Sequence, residues 1–290
     1  MRSCLIVCHG YFGDHLFANS IAEHLVNENQ YGIIDYVVGF PQVLPFFERN
    51  PYIRNTTITS VGPSPRIPNN THIYDKVFRL GPINRKVPPT VEMQLSCGVN
   101  NPTPQFYVNT NPELDKLVVD TYGKKNDLVI AIMNGWKERS FLYTKNEYTR
   151  GIDVPNLGYG GAHRNTDYII AELEKRYSSI RVGPDKKFIN QFSLEYDGPS
   201  LDLTASILKY CDVFVGAEGG LANLAYAVGT KTIITGDFVH QLYGPNGVLQ
   251  KLDEPKIGPV HYGDVVGKHV SLDPYLKDTE VVEHIFNILQ

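Results

Sequence analysis

The run from Asp212 to Asp237, DVFVGAEGGLANLAYAVGTKTIITGD, constrains the chain most, because it packs a buried strand, a Glu-Gly-Gly turn, an apolar helix and a second strand into one short stretch. DVFVGA has the continuous apolar character of a parallel strand covered on both faces. LANLAYAVG carries apolar side chains at 221, 224, 225 and 228, the spacing of a helix packed on a sheet. Gly229 stops that helix. Gly219 and Gly220 remove side chains where the helix begins, and the exposed amides with the positive end of the helix dipole favour an anion such as phosphate. The same two glycines also suit a tight strand-to-helix turn, and the local sequence leaves both readings open.

The rest of the chain has room for more than one such unit. At 290 residues, 42% hydrophobic and 20% charged, it has globular composition and length for two domains of ordinary size. A net charge of −4 gives no overall basic field of the kind that drives nonspecific nucleic-acid binding, although a local basic cleft can hide in that average. Cys4, Cys8, Cys97 and Cys211 form no CxxC pair. Three of them lie on or beside predicted strands, which indicates buried free thiols, a reducing compartment and no structural zinc. LIVC near the N-terminus is too short for a signal-peptide core and serves better as a first strand. No stretch approaches the roughly 18 consecutive apolar residues of a spanning helix. The expectation is a cytoplasmic protein, with the sequons at Asn55 and Asn69 incidental.

Two βα arrays follow from the periodicity. In the first, 3–8 is a strand, HGYFGD a glycine-containing loop, HLFANSIAEHLVNEN an amphipathic helix and IDYVVGF a strand. PQVLPFFERNPYI reads as a short helix and turn, and THIYDKVFRL and PQFYVN as strands or extended segments. The proline-rich intervals 63–68 and 82–89 read as loops. NPELDKLVVDTYGKKN is a helix ending at Gly123 and a polar hinge, which puts the first domain at 1–124 and the second at 125–290. In the second, 127–133 is a strand, NGWKERSF a loop, NTDYIIAELEKRY a helix, SSIRVGP a strand and LDLTASILKYC a helix leading into the opening run. The final helix, 278–290, has the option of packing back on the first domain.

Alternating β and α elements imply parallel sheets, and ligands of such sheets bind outside the carboxyl ends of the strands. Three loops are then expected to converge on a cleft: 9–14 from the first domain, with 134–139 and 216–223 from the second.

GYFGDHLFANSIAEHL, FFERNPYI, DLVIAIMNGWKERS and YDGPSLDLTASILKYCDVFVGAEGGLANLAYAVGTKTIITGD stand in the order and rough spacing of the landmarks of one family. The chain resembles the heptosyltransferase-like glycosyltransferases, the family 9 class. The resemblance implies a GT-B fold, two Rossmann-like domains with parallel sheets facing a central cleft: an acceptor-binding N-terminal domain and a nucleotide-sugar-binding C-terminal one. It implies sugar transfer with inversion, without metal and without a cofactor beyond a UDP- or ADP-linked sugar as co-substrate. Where the family carries Asp-Thr/Ser-Gly-Leu-x-His, this chain has Glu218-Gly219-Gly220-Leu221-Ala222-Asn223, so nucleotide and sugar preference stay open.

By the same resemblance Asp14 of the Gly13-Asp14 pair is the base, placed to deprotonate an acceptor hydroxyl. Capping a helix that begins at His15 is its other reading. His9 and His15 flank Asp14 as acceptor-binding or tuning groups, with Arg164 a further acceptor candidate. The leaving nucleoside diphosphate needs positive charge, and Lys137 and Arg139 with the Gly219 and Gly220 amides are the candidates. Trp136 can stack on a base or sugar. Glu218 can accept hydrogen bonds from donor hydroxyls, and Gly13, Leu221 and Asn223 complete the expected donor set. No HxxxH, HExxH or DxD element points to a metal. A saccharide or lipid-linked glycan is the expected hydroxyl acceptor. Basic stretches at 79–86, 144–150 and 160–165 also suit a phage-type enzyme acting on hydroxymethylated cytosine in DNA. A nonenzymatic sugar-nucleotide binding protein and a GT-B-type epimerase are readings of other classes.

Overall fold

The computed structural model describes residues 2–10, 12–80, 89–125, 127–133, 166–183, 200–217, 219–235, 269–272 and 276–290. They build two all-parallel sheets. The first has four strands, β1 (Ser3–Cys8), β2 (Ile33–Val37), β3 (Asn55–Thr57) and β4 (Lys76–Leu80), in the order β3-β2-β1-β4. The second has five, β5 (Val129–Met133), β6 (Ser178–Val182), β7 (Val213–Gly216), β8 (Lys231–Ile234) and β9 (His269–Ser271), in the order β6-β5-β7-β8-β9. In each sheet the chain reverses its direction of travel beside the first strand, between β1 and β4 and between β5 and β7. These are the topological switch points at which open α/β sheets bind ligands.

Nine α-helices are described: α1 (Phe12–Asn19), α2 (Ile21–Asn27), α3 (Leu44–Glu48), α4 (Pro89–Ser96), α5 (Pro112–Tyr122), α6 (Thr166–Glu174), α7 (Leu201–Tyr210), α8 (Gly220–Ala227) and α9 (Asp278–Leu289). The expected helix over 15–29 is two helices, and it begins at Phe12. The Ser20 hydroxyl donates to Phe17 O at 3.4 Å, a back-bond that competes with the helix ladder and accompanies the break. Because α1 starts early, Asp14 lies inside its first turn, so the capping reading for a helix beginning at His15 is corrected. The short edge strand β3 and helix α4 were not anticipated. The 104–109 segment forms no strand. It crosses instead to the second sheet's helices, where Val108 N–H donates to Ala227 O at 3.2 Å and Phe106 stacks on Tyr226 with ring centres 4.8 Å apart.

Alternation along β1 explains the layering. Cys4, Ile6 and Cys8 face an inner core that continues without a break into Phe17, Phe46, Phe47, Phe214, Leu221 and Leu224, so residues of both sheets share it. Leu5 and Val7 face outward under Ile67, Tyr74 and Val77. On the outer face of the second sheet, Ile130, Ile132, Val213 and Val215 pack against α6 and α9. The C-terminal helix α9 therefore seats Val281, Val282, Ile285 and Phe286 on the second sheet, which corrects the option of a return to the first domain. All four cysteines are free and buried, and burial pushes the Cys4 thiol up to about 12. Among the described residues no helix is long and apolar enough to cross a membrane.

Polar contacts reinforce the joint between the sheets. The Arg49 guanidinium, just past α3, grips both carboxylate oxygens of Asp202 at the start of α7, and its Nε donates to Asn109 O at 2.9 Å. Both side chains are largely shielded, at 24% and 14% exposure, so this pair is not discounted as a surface ion pair would be. Lys209 of α7 reaches Asp115 of α5 at 2.7 Å, and the Tyr210 hydroxyl donates to Gly123 O, so α5 packs on the second sheet's helices. Asp202→Ala leaves a shielded guanidinium without its carboxylate and is expected to lower stability by about 1–3 kcal/mol. Urea unfolding measures this, and a change below about 0.5 kcal/mol would show that the pair is not part of the joint.

Candidate functional site

The candidate site forms where the first strand of each switch point hands over to a helix or a loop. β1 ends at Cys8, and His9 N–H donates to Leu80 O at 3.1 Å, tying it to the end of β4. Gly10 N–H donates to Pro63 O at 2.7 Å, which draws the 59–66 loop across the same edge. Gly10 has φ of +108°, a backbone that favours glycine, and the Asp14 carboxylate folds back over the space where a side chain would stand. Asp14 is thus held in the first turn of α1, where the positive end of the helix dipole stabilises a carboxylate.

The second sheet delivers its counterpart through β7. Gly216 ends that strand, and Gly219, with φ of +143°, turns the chain into α8. That conformation is nearly closed to residues bearing a β-carbon. The glycine pair of the sequence thus separates into two roles, since only the first glycine needs its backbone freedom.

Gly220 is needed for room. The tips of α1 and α8 meet directly, and the Phe12 ring sits on Gly220 where a β-carbon would project. In return, a β-carbon at residue 13 would lie 2.6 Å from Asn223 Nδ2 and 3.4 Å from Gly220 Cα. Each helix therefore offers a glycine to a side chain of the other. Of the three loops expected to converge, 9–14 and 216–223 meet through Phe12, Gly13, Gly220 and Asn223, and 134–139 lies outside the described residues. Phe12 belongs to the site as well, and the sequence reading missed it. Its signal was an aromatic residue directly before the Gly-Asp pair.

The remaining candidates divide clearly. His9 is partly buried, and burial followed by the neighbouring Arg79 guanidinium pushes its imidazole below the usual histidine range. It is consequently neutral at pH 7 and sits at the β1–β4 switch point. His15 is fully buried, with Nε2 accepting from Gly39 N–H at 3.0 Å and its ring edge-on to Phe40. The acceptor-binding expectation for His15 is corrected, because that nitrogen already serves the backbone after β2. Leu221 is buried in the shared core and acts through packing. Asn223 is also buried, with its side chain turned toward α1. Trp136, Lys137, Arg139, Arg164 and Glu218 lie outside the described residues, as do the basic stretches 144–150 and 160–165 and most of 79–86. Among the described residues no group of three His, Cys, Asp or Glu gathers as for a metal ion. Two hollows, beside Thr110, Asp115 and Lys209 and beside Tyr122, Lys124 and Tyr210, lie at the opposite end of the second sheet.

No family profile matches the sequence, and no curated protein matches it. Solved structures do. A glycosyl transferase family 9 protein from Veillonella parvula superposes with a TM-score of 0.63 at 12% identity, over 99% of this chain and 97% of that one. The E. coli ADP-heptose LPS heptosyltransferase II gives 0.55 at 12% identity, over 100% and 98%. E. coli heptosyltransferase WaaC, solved with ADP, gives 0.52 at 12% identity, over 99% and 100%. Likeness at that identity establishes the fold. The described residues have the two-sheet GT-B architecture seen in the family 9 glycosyltransferases.

Proposed function

We propose that this protein is a glycosyltransferase that moves a sugar from a nucleotide sugar to a hydroxyl acceptor, with inversion and without a metal. The observation that carries the reading is the meeting of α1 and α8 at the carboxyl ends of two parallel sheets. One tip presents a carboxylate, Asp14, and the other a glycine turn with helix amides. A carboxylate on one helix tip and the amides of a second tip packed beside it are the groups that displacement at an anomeric carbon requires. The acceptor oxygen loses its proton to Asp14 and bonds to the anomeric carbon, while the bond from that carbon to the diphosphate oxygen breaks and its electron pair leaves with the nucleotide. The amides at the start of α8 then face the negative charge that develops on the leaving group.

The chain's parts divide the work accordingly. The first sheet, with Asp14 and neutral His9, takes the acceptor. The second takes the donor, with Lys137, Arg139 and Glu218 assigned to it from the sequence. The WaaC structures hold ADP and ADP-2-deoxy-2-fluoro heptose. An ADP-linked sugar is accordingly the first donor to test, and a saccharide or lipid-linked glycan the first acceptor.

Three outcomes follow from this reading. Offered ADP-heptose or UDP-hexoses together with saccharide acceptors, the protein should release nucleotide and glycosylate one of them. Asp14→Asn should fold normally and lose on the order of a hundredfold or more in turnover. Retention of activity within threefold would remove Asp14 as the base. Turnover should also persist in EDTA, and a loss that Mg²⁺ or Mn²⁺ restores would contradict the metal-free mechanism.

Gly220→Val tests the donor loop. Its new side chain collides with the Phe12 ring, so it is expected to cost about 1–3 kcal/mol of stability as well as nucleotide affinity. Calorimetry giving unchanged ADP and UDP affinity in the folded variant would take this loop out of the site.

A further inference from the structure

Asn223 is a buried polar side chain that the reaction just described does not use. It is the fourth residue of α8, and its backbone N–H donates to Gly219 O at 3.0 Å, so it is fixed in the helix's first turn. In the sequence it stood among the donor ligands. The structure turns its amide the other way, across the joint, to where a β-carbon of Gly13 would lie 2.6 Å away. The next residue along that backbone is Asp14. Phe12, one residue before, reaches back over Gly220. Two side chains and two glycines thus interlock reciprocally, and the carboxylate follows directly from the interlocked backbone.

We propose that Asn223 is a positioning residue whose amide, seated on the Gly13 backbone, holds α1 and hence the Asp14 carboxylate in register with the glycine turn of α8. The inference rests on the glycosyl-transfer reading and adds the part that aligns its two halves. Asp14 has little freedom otherwise. Its carboxylate lies over Gly10, where no side chain can intrude, and its charge helps to push up the buried Cys8 thiol. From α8 the group facing the Gly13-Asp14 backbone is a neutral amide. A shift of that backbone of a fraction of an ångström moves the base relative to the diphosphate site, and catalytic alignment is sensitive on that scale.

The test separates positioning from donor binding. Binding of ADP and UDP is measured by calorimetry, nucleotide release from ADP-heptose and UDP-glucose by steady-state kinetics, and the Asp14 titration by carboxylate ¹³C NMR, assigned with Asp14→Asn. Asn223→Ala is expected to leave nucleotide affinity within about threefold while kcat falls about tenfold or more, the pattern of a lost alignment rather than a lost ligand. Asn223→Asp places a negative charge beside α1's first turn and should raise the Asp14 midpoint by on the order of half a unit. Gly13→Ala pushes the amide away and should reproduce the kcat loss of Asn223→Ala, with the double variant little worse than either alone. Should Asn223→Ala fail to fold, Asn223→Asp and Gly13→Ala carry the measurement.

A tenfold or greater loss of nucleotide affinity in Asn223→Ala would make Asn223 a donor ligand and overturn the proposal. An unmoved Asp14 midpoint in Asn223→Asp, with nucleotide still bound, would overturn it alone. Failure of the wild type to bind either nucleotide and to turn over either donor would overturn the glycosyl-transfer reading and this inference with it.

Discussion

The close approach of α1 to α8 is the contact on which the rest of the structure depends. Two helix tips both carry a positive dipole end, and bringing them together is electrostatically unfavourable unless something negative or strongly packed compensates. Here the compensation is visible. Asp14 stands in the first turn of one tip, and the glycines at 13 and 220 let the backbones come near enough for Phe12 and Asn223 to fill the space between. Behind the tips, Phe17 meets Phe106 edge-on and Phe106 stacks on Tyr226, and the inner core runs on into both sheets. The joint is therefore a packed interior, with Asp14 and Asn223 at the carboxyl ends of the strands and the Lys209–Asp115 pair toward the opposite end.

Much of this was legible in the sequence because parallel sheets announce themselves strongly. Continuous apolar runs such as VIAIM and VFVG, short and rich in β-branched residues, suit strands covered on both faces, and each lies where expected. The anchoring glycines were legible too, and so was the tight turn that Gly219 makes, but the demand at Gly220 was not. Sequence treats Gly219 and Gly220 as one motif. The structure assigns a positive φ to the first and a steric demand to the second, and that demand comes from a ring more than two hundred residues earlier in the chain. Nothing local to either segment contains that information.

The misreadings share a cause. His15 resembled a site residue because it stands next to Asp14, yet successive helical residues point about 100° apart, so the neighbour of a cleft-facing residue turns into the core. There it meets Gly39 N–H and Phe40. Leu221 shares that fate one residue after Gly220. In both places a linear motif was read as a surface, whereas a helix exposes only part of any motif. The segment 104–109, read as a strand or an extended segment, joins no ladder among the described residues. Its side chains and backbone reach both units: Phe106 packs on Phe17 of α1 and Tyr226 of α8, the Tyr107 hydroxyl donates to Glu23 of α2, and Val108 N–H donates to Ala227 O.

The position of Asp14 follows from these constraints jointly. Gly10 supplies the hollow beneath the carboxylate, the early start of α1 places it in the first turn, and the interlock of Phe12 with Gly220 and Asn223 with Gly13 fixes the helix that carries it. At each of the three glycines the place of a β-carbon is taken by another residue's side chain: Asp14 at Gly10, Asn223 at Gly13 and Phe12 at Gly220. A base held in this way depends on both units at once. On the proposed glycosyl-transfer reading, the packing of α8 against α1 then sets where the acceptor's proton is taken.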